Sequence, residues 1–525
     1  MSFVQPWSDD SEIFRHRRAR AVRPWERWVL GTLIFLGLQS VVLFALWWFQ
    51  IVHVGVPFLF VLLSLATWYG IFRMMVGWYN AFHIEQPPEP PPPGETSVAI
   101  FITSSPGEPY EMFVRTLGAA REIAHLHTTY LLDDTRDPAF RELAISMGAV
   151  HLELVGFPGA KAGKINAALE RTREELILVL DPDHIPFPNL LDRVVGFFDD
   201  PQIGFVQVAQ AYHNGGESFV ARAAAEQTFA FYGPIMQGMH GTGTSVAIGA
   251  NCTFRRTALE SIAGHGIGLA EDLVTSIRLH AAGWKSIYVP EVLSRGLVPA
   301  DLSSFMKQQL KWSRGVHEVL FVDYPRLFRK LTAHQKISYF MIGSYYFVGA
   351  TSFIYFTIPL LYLWLGQNPA AFLIAEYVQH ALPVGLFGVL IYRFMNRWLC
   401  DPARERGWHW RGTLLKVGLW NIHLLGLLLA IARRNVPYVP TEKRRQTADF
   451  WKLARVPAVM IAASFTTVLW TVYSRLYRMP EAQVRISTEA TAGMLLFLTM
   501  NAIFMSGRLW AAWRDRNRRG ARASR

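Results

Sequence analysis

LILVLDPDHIP, residues 176–186, is a run of aliphatic side chains that stops abruptly at Asp181, Asp183 and His184. A short apolar run of this length reads as a buried strand, and here its end carries two carboxylates. Alternate residues of an extended segment point the same way, so Asp181 and Asp183 can face one point in space and share one hard cation. A strand followed by a polar Asp-Pro turn is the plainer reading of the same letters. The neighbouring sequence decides between the two.

Working outward, residues 97–325 alternate short apolar strands with helical stretches: VAIFIT at 98–103, TTYLLDD at 128–134, AVHLELV at 149–155, then LILVLDPD. This is a βαβ rhythm, and it predicts an α/β domain of the Rossmann-related kind. In open α/β sheets, ligands sit beyond the carboxyl ends of the strands. Those ends carry Thr103-Ser104-Ser105, Asp133-Asp134 and Asp181-Pro182-Asp183. Three polar clusters are expected to meet in one crevice.

The 525-residue chain is too long for one ordinary domain, and 51% of it is hydrophobic. Residues 28–49 and 54–76 are each long enough to cross about 30 Å of hydrocarbon as helices and predict a transmembrane hairpin within 27–78. Trp25, Trp28, Trp47, Trp48, Trp68 and Trp78 lie near their ends, where amphipathic rings favour the interface. QPPEPPPPG at 86–94 excludes helix and central strand, and marks 79–96 as a stiff linker. Beyond the α/β domain, 338–365, 370–394, 456–473 and 492–509 can also span. The formal charge of +12 raises nucleic acid as a partner. Its arginines cluster beside the apolar runs, however, in a leader at 1–26, at Arg433-Arg434 and in the tail at 513–525, as the cytosolic flanks of membrane helices do. No nucleic-acid partner is expected. Cys252 and Cys400 are far apart and give neither a metal spacing nor a disulfide framework. The α/β domain is therefore expected in the cytosol. With no cleavable signal evident, the first apolar run is expected to remain as an anchor.

Residues 413–432 are ambiguous, being apolar but carrying Lys416, Asn421 and His423. If they span, the basic loop at 433–452 and the basic tail fall on opposite sides of the bilayer, against the positive-inside bias. The expectation is therefore an interface helix within 326–432, four spans after the α/β domain, of which two lie in 453–512, and six in all; seven is the alternative.

Two further tracts carry chemistry. In LAEDLVTSIRLHAAGW, Glu271-Asp272 opens a helical pattern behind the glycine-rich 264–268, where the helix dipole favours a carboxylate, although capping alone would also account for it. In QQLKW, Gln308, Gln309, Lys311 and Trp312 set an indole beside a cation, a surface for a sugar ring and a hand for a phosphate. Trp312 also suits an interface belt. His184 could touch a diphosphate or simply fill a turn. Gln207 and Gln210 follow a strand pattern and could meet a glycan. Cys252 is expected to be a small buried residue, and Arg255 and Arg256 to serve packing or solvation.

Taken in order, Asp133-Asp134, Asp181-Pro182-Asp183, Glu271-Asp272 and QQLKW resemble the D, DxD, (T/E)ED and Q(Q/R)xRW series of the processive family-2 glycosyltransferases with membrane helices, above all the catalytic subunit of bacterial cellulose synthase. KAGK at 161–164 with Asn166 is similar to that family's KAGN-type loop, FVQ at 205–207 matches, and YVPTEK at 438–443 resembles the FxVTxK gating loop. Lys311 stands where an arginine is usual, Ala270 where a threonine is common, and Tyr438 and Pro440 alter the gating tract. These departures bear on the product rather than on the family.

The resemblance implies a GT-A-like cytosolic domain inserted in a helical transmembrane channel domain of a bacterial inner membrane. It implies Mg2+ or Mn2+ on Asp181 and Asp183, and nucleotide contacts from Asp133, Asp134, Lys161, Lys164, Thr441 and Lys443. It further implies Asp272 as general base with Glu271 beside it, and Gln308, Gln309, Lys311 and Trp312 at the acceptor or pyrophosphate. The expected partners are a UDP-sugar, a growing glycan chain, membrane lipids and a periplasmic accessory subunit. The expected reaction is inverting synthesis of a β-linked polysaccharide from UDP-glucose, with export. Alternatives are another donor such as UDP-GlcNAc, transfer of one sugar to a polyprenyl phosphate, or, from a different class, a transporter with a nucleotide-sensing domain. Little sequence follows the last helix, so no PilZ domain is expected.

Overall fold

The computed structural model describes residues 15–437, 449–477 and 488–523, with the side chains of the last helix given to Arg516. Nine strands form one mixed sheet: β1 (Arg17–Arg18), β2 (Val98–Thr103), β3 (His127–Asp133), β4 (Val150–Glu153), β5 (Leu176–Leu180), β6 (Ile185–Pro186), β7 (Ile203–Tyr212), β8 (Cys252–Arg255) and β9 (Lys285–Gly296). Their order is β1-β9-β7-β8-β5-β2-β3-β4, with β6 on β9. The βαβ rhythm accounts for β2 to β5, which pair in parallel. The continuous apolar runs follow from burial on both faces. Ile100, Ile102, Leu178 and Leu180 enter one core, while Ala99, Phe101, Ile177 and Val179 enter another.

The chain builds outward from β2 to β3 and β4, then returns to lay β5 on the other side of β2. That reversal opens a crevice at the carboxyl ends of β2 and β5, as such switch points do. On its far side β5 pairs antiparallel with β8, which leads into β7 and β9.

Among the described residues, six helices are long and apolar enough to cross a membrane: Pro24–Trp48, Pro57–Phe82, Ala333–Leu365, Ile374–Trp398, Phe450–Tyr477 and Thr488–Arg516. The ambiguous stretch is two helices, Trp410–Gly418 and Trp420–Ile431, bent by 52°. The pair makes a seventh candidate span if counted as one.

Two segments do more than composition suggests. The arginine leader pairs as β1 with the edge of β9, and Arg18 meets Glu89 and Glu291. The proline segment carries no helix or strand and lies against the domain. A Cβ on Gly196 would sit 2.0 Å from the Pro91 carbonyl oxygen, so only glycine permits that approach. Arg193 reaches both Glu89 and Glu291 and fastens the strap.

Candidate active site

The end of β5 is a turn, not a continued strand. The His184 amide donates to the Asp181 carbonyl over 3.0 Å, and the Thr116 hydroxyl donates to the Pro182 carbonyl over 2.6 Å. The turn brings Asp181, Asp183 and His184 together, with one ligand atom from each within 4.8 Å of the others. The carboxylates thus converge by a different route from strand alternation, and the histidine joins them. The Asp183 side chain is 1% exposed and Asp181 32% exposed, so the pair has a buried anchor and an open rim. The Leu297 amide donates to Asp183 Oδ2 over 3.2 Å, and Gln210 Nε2 lies 3.1 Å from His184 Nε2.

Whether a divalent cation suits this turn can be judged from what already faces it. Lys161 Nζ sits 2.5 Å from Asp181 Oδ1, an ammonium placed where the carboxylates call for positive charge. Two carboxylates and an imidazole are a donor set for a divalent cation. The residues fit the group.

Lys161 comes from the helix Ala160–Arg171, whose start is unusual. Gly159 and Ala160 are both left-handed, with φ of 92° and 51°, and a Cβ on Gly163 would lie 1.9 Å from the Pro158 carbonyl oxygen. The glycine of KAGK lets the chain double back so that both lysines reach the crevice. Lys164 donates to the Ser104 carbonyl and to the Ser105 hydroxyl at the end of β2, and lies 3.7 Å from Asp134.

Asp133 is enclosed, accepting from Ser104 Oγ at 2.6 Å, Thr135 Oγ1 at 2.8 Å and His151 Nε2 at 2.9 Å. Burial opposes its charge, but these hydrogen bonds prevail and hold the carboxyl below the ordinary aspartate range. Asp134 is the open member of the pair, with a side chain 27% exposed.

Glu271 and Asp272 begin the helix Glu271–Ala281. Asn166 holds the approach to it, accepting from the His265 amide at 2.6 Å and donating to its carbonyl at 3.0 Å. The asparagine after KAGK therefore ties the lysine helix to the glycine-rich turn. Asp272 Oδ2 would be 3.3 Å from a Cβ on Gly249, and the Gly249 carbonyl accepts from Lys161. Asp181, Lys161, Gly249 and Asp272 form one continuous row. Burial and the neighbouring Glu271 push the Asp272 carboxyl up to about 7. Burial likewise penalises the Lys161 charge, but Asp181, Glu271 and Asp272 outweigh it and raise its pKa above that of an ordinary lysine.

Gln308, Gln309, Lys311 and Trp312 lie on the helix Leu302–Glu318. Gln309 is buried and the other three are half-buried. A Cβ on Gly315 would come within 2.9 Å of the Ala270 nitrogen and the Leu269 carbonyl carbon, so the glycine brings this helix against the start of the Glu271 helix. Lys311, one turn earlier on the same face, is near enough to offset part of the rise in the Glu271 pKa. Arg314 Nε donates to the Arg434 carbonyl at 3.0 Å and so fastens the chain just before YVPTEK. Thr441 and Lys443 lie outside the described residues.

Gln207 faces no open groove. Its amide nitrogen donates to the Ala250 and Asn251 carbonyls, and its oxygen accepts from the Ile248 amide. It holds the loop that presents Gly249. Cys252 is buried. Arg255 is bonded to the carbonyls of Phe198, Asp200 and Ile203, and Arg256 to those of Leu169 and Glu174.

This crevice lies at the switch point of a mixed sheet joined to apolar helices. The family model described as glycosyl transferase family group 2 matches residues 176–473, more than half of the chain, and the chain belongs to that family. Among curated proteins, it is 30% identical over 262 residues to the cellulose synthase catalytic subunit [UDP-forming] of Komagataeibacter sucrofermentans, covering 48% of this chain and 35% of that one. It is 26% identical over 378 residues to the corresponding subunit of Pseudomonas fluorescens, covering 69% of this chain and 49% of that one. The chain thus spans less than half the length of these relatives. Among solved structures, a mannosyltransferase from Pyrobaculum calidifontis in complex with GDP-Man and Mn2+ aligns at a TM-score of 0.48 and 15% identity, covering 72% of this chain and all of that one.

Proposed function

We propose that this protein is a processive, inverting glycosyltransferase that builds a β-linked polysaccharide from a UDP-sugar and passes it through its membrane helices. UDP-glucose is the donor this reading favours, giving a cellulose-like, β-1,3 or mixed-linkage glucan. The observation that carries the proposal is the row from Asp181 through Lys161 and Gly249 to Asp272, which sets a cation-binding carboxylate and a base on either side of one ammonium. The cellulose synthase relatives support the choice of donor and product.

The chain's own residues then divide the work. Asp134, open at the end of β3, takes the nucleotide base, while Asp133 keeps that strand end in shape. A divalent cation bound by Asp181, Asp183 and His184 would offset the charge that grows on the leaving diphosphate. Lys161 and Lys164 face the phosphates from the opposite wall. Asp272 accepts the proton of the attacking acceptor hydroxyl, and its raised pKa suits a base working near neutrality. In-line attack inverts the anomeric centre, so an α-linked donor yields a β-linkage. Gln308, Gln309, Lys311 and Trp312 hold the acceptor end, and Thr441 and Lys443 contribute to nucleotide binding. The α/β domain works on the cytosolic side of an inner membrane, with residues 413–432 at the interface.

The test supplies purified protein in lipid with a panel of UDP-sugars and Mg2+, then digests the product with linkage-specific glucanases. The expected result is a long polymer from UDP-glucose, cut by a β-glucanase. Donor hydrolysis without such a polymer contradicts the proposal.

A further inference from the structure

A buried ion pair joins the α/β domain to the loop that follows the fourth apolar helix. Arg295 Nη2, near the end of β9, lies 2.5 Å from Asp401 Oδ2, and both side chains are 2% exposed. The pair is imperfectly satisfied, since Arg295 Nε and Asp401 Oδ1 are buried with no hydrogen-bond partner. An incompletely satisfied buried ion pair is weak support for stability, because desolvation offsets most of the attraction and a well-packed apolar pair often does as well. Its position offers another reason to keep it.

The two residues after Arg295 bear directly on the metal-site turn. Gly296 lies flat against the His184 ring, where a Cβ would come within 2.3 Å of Cε1. The Leu297 amide donates to Asp183 Oδ2. Two of the three converging ligand side chains are therefore held by the backbone that Arg295 anchors. On its other side, Asp401 belongs to a loop docked into the α/β domain. Gln237 donates to the Trp398 carbonyl at 2.7 Å and Cys400 donates to the Tyr232 carbonyl, while within the loop the Asp401 backbone carbonyl accepts from the amides of Arg404 and Glu405.

We infer that Arg295 and Asp401 are positioning residues through which the loop after the apolar helix Ile374–Trp398 sets the geometry of the Asp183–His184 turn. The inference rests on the reading of Asp181, Asp183 and His184 as a divalent-cation site.

The test measures Mn2+ binding by electron paramagnetic resonance on the full chain in lipid, with UDP present and no turnover. The variants are Asp401→Asn, Arg295→Lys, and the double Arg295→Met/Asp401→Leu, which removes both charges and leaves neither orphaned. Each is expected to bind Mn2+ about tenfold more weakly or worse, the usual effect of losing a group that orients metal ligands. Saturating Mn2+ should restore most of the sugar transfer, because the site is displaced rather than destroyed. A general folding defect would instead lower the number of sites at unchanged affinity. Wild-type Mn2+ affinity in the folded double variant overturns the inference, as does weakened activity that excess Mn2+ does not recover. If the unaltered protein binds no Mn2+, the cation-site reading itself fails, a separate outcome.

Discussion

Lys161 Nζ lies 2.5 Å from Asp181 Oδ1 and donates as well to the Gly249 carbonyl, so one ammonium ties the Asp181–His184 turn to the loop that faces Asp272. Under the proposed function, the lysine competes with a cation for Asp181 while helping to hold the base in register. Replacing it with methionine is expected to tighten Mn2+ binding in the absence of donor and to lower sugar transfer by about tenfold or more. The magnitude follows from the ~1.5–3 kcal/mol contributed by hydrogen bonds to charged groups. Mn2+ titration and initial rates on the same preparation check both directions.

The acid limb of the pH profile should belong to Asp272. A base must be deprotonated to act, so kcat/KM is expected to rise as pH increases through about 7 and to level off above it. Glu271→Gln removes one of the two causes of the raised value, so that limb should move to lower pH. A profile flat from pH 5 to 8, or a limb that Glu271→Gln leaves in place, contradicts the assignment.

Gly315 offers a test of helix packing in which local propensity and tertiary contact disagree. Alanine in a helix interior ordinarily gains about 0.5–1 kcal/mol over glycine. Here its Cβ would meet backbone atoms of Leu269 and Ala270 at 2.9 Å, which cannot move aside as a side chain could. Gly315→Ala is therefore expected to lower the thermal midpoint and to reduce transfer more than UDP binding, because it pushes the QQLKW helix away from Glu271.

Gln207→Leu should leave the Ile248 amide and the Ala250 carbonyl without the partner they share, while the Asn251 carbonyl keeps the Val208 amide. The cost is about 1–3 kcal/mol for each buried group left unsatisfied, read as a lower thermal midpoint. Activity should fall with it as Gly249 loses its support. An unchanged midpoint would show that this loop is held by other contacts.

The strand-and-helix rhythm from β2 to β5 was legible because each of these strands is a local apolar run ending in polar residues. The other half of the sheet was not. Gln207 stands in a recognisable FVQ, yet its partners lie some forty residues on, and only the pairing of β7 with β8 brings them together. The arginine leader reads as membrane-flanking charge, while its pairing with β9 and its contacts to Glu89 and Glu291 depend on residues far apart in the chain. Asp181 and Asp183 were identifiable as a pair, but alternation along a strand was the wrong reason for their convergence. A hydrogen-bonded turn does it, and that turn is what recruits His184. QQLKW is legible as a tract just before the apolar helices resume, whereas the role of Gly315 in seating it against Ala270 is not, because an isolated helical glycine carries no packing signal of its own.

The proposed function makes Asp272 the base of a sugar-transfer reaction at this crevice. Asp272→Asn keeps the size and the polar tip of the side chain and removes only its ability to take a proton. Transfer from UDP-glucose and UDP binding, measured side by side on this variant in lipid, test the claim most directly. Transfer is expected to be abolished while UDP still binds within a few-fold of the unaltered protein. Undiminished transfer would contradict it.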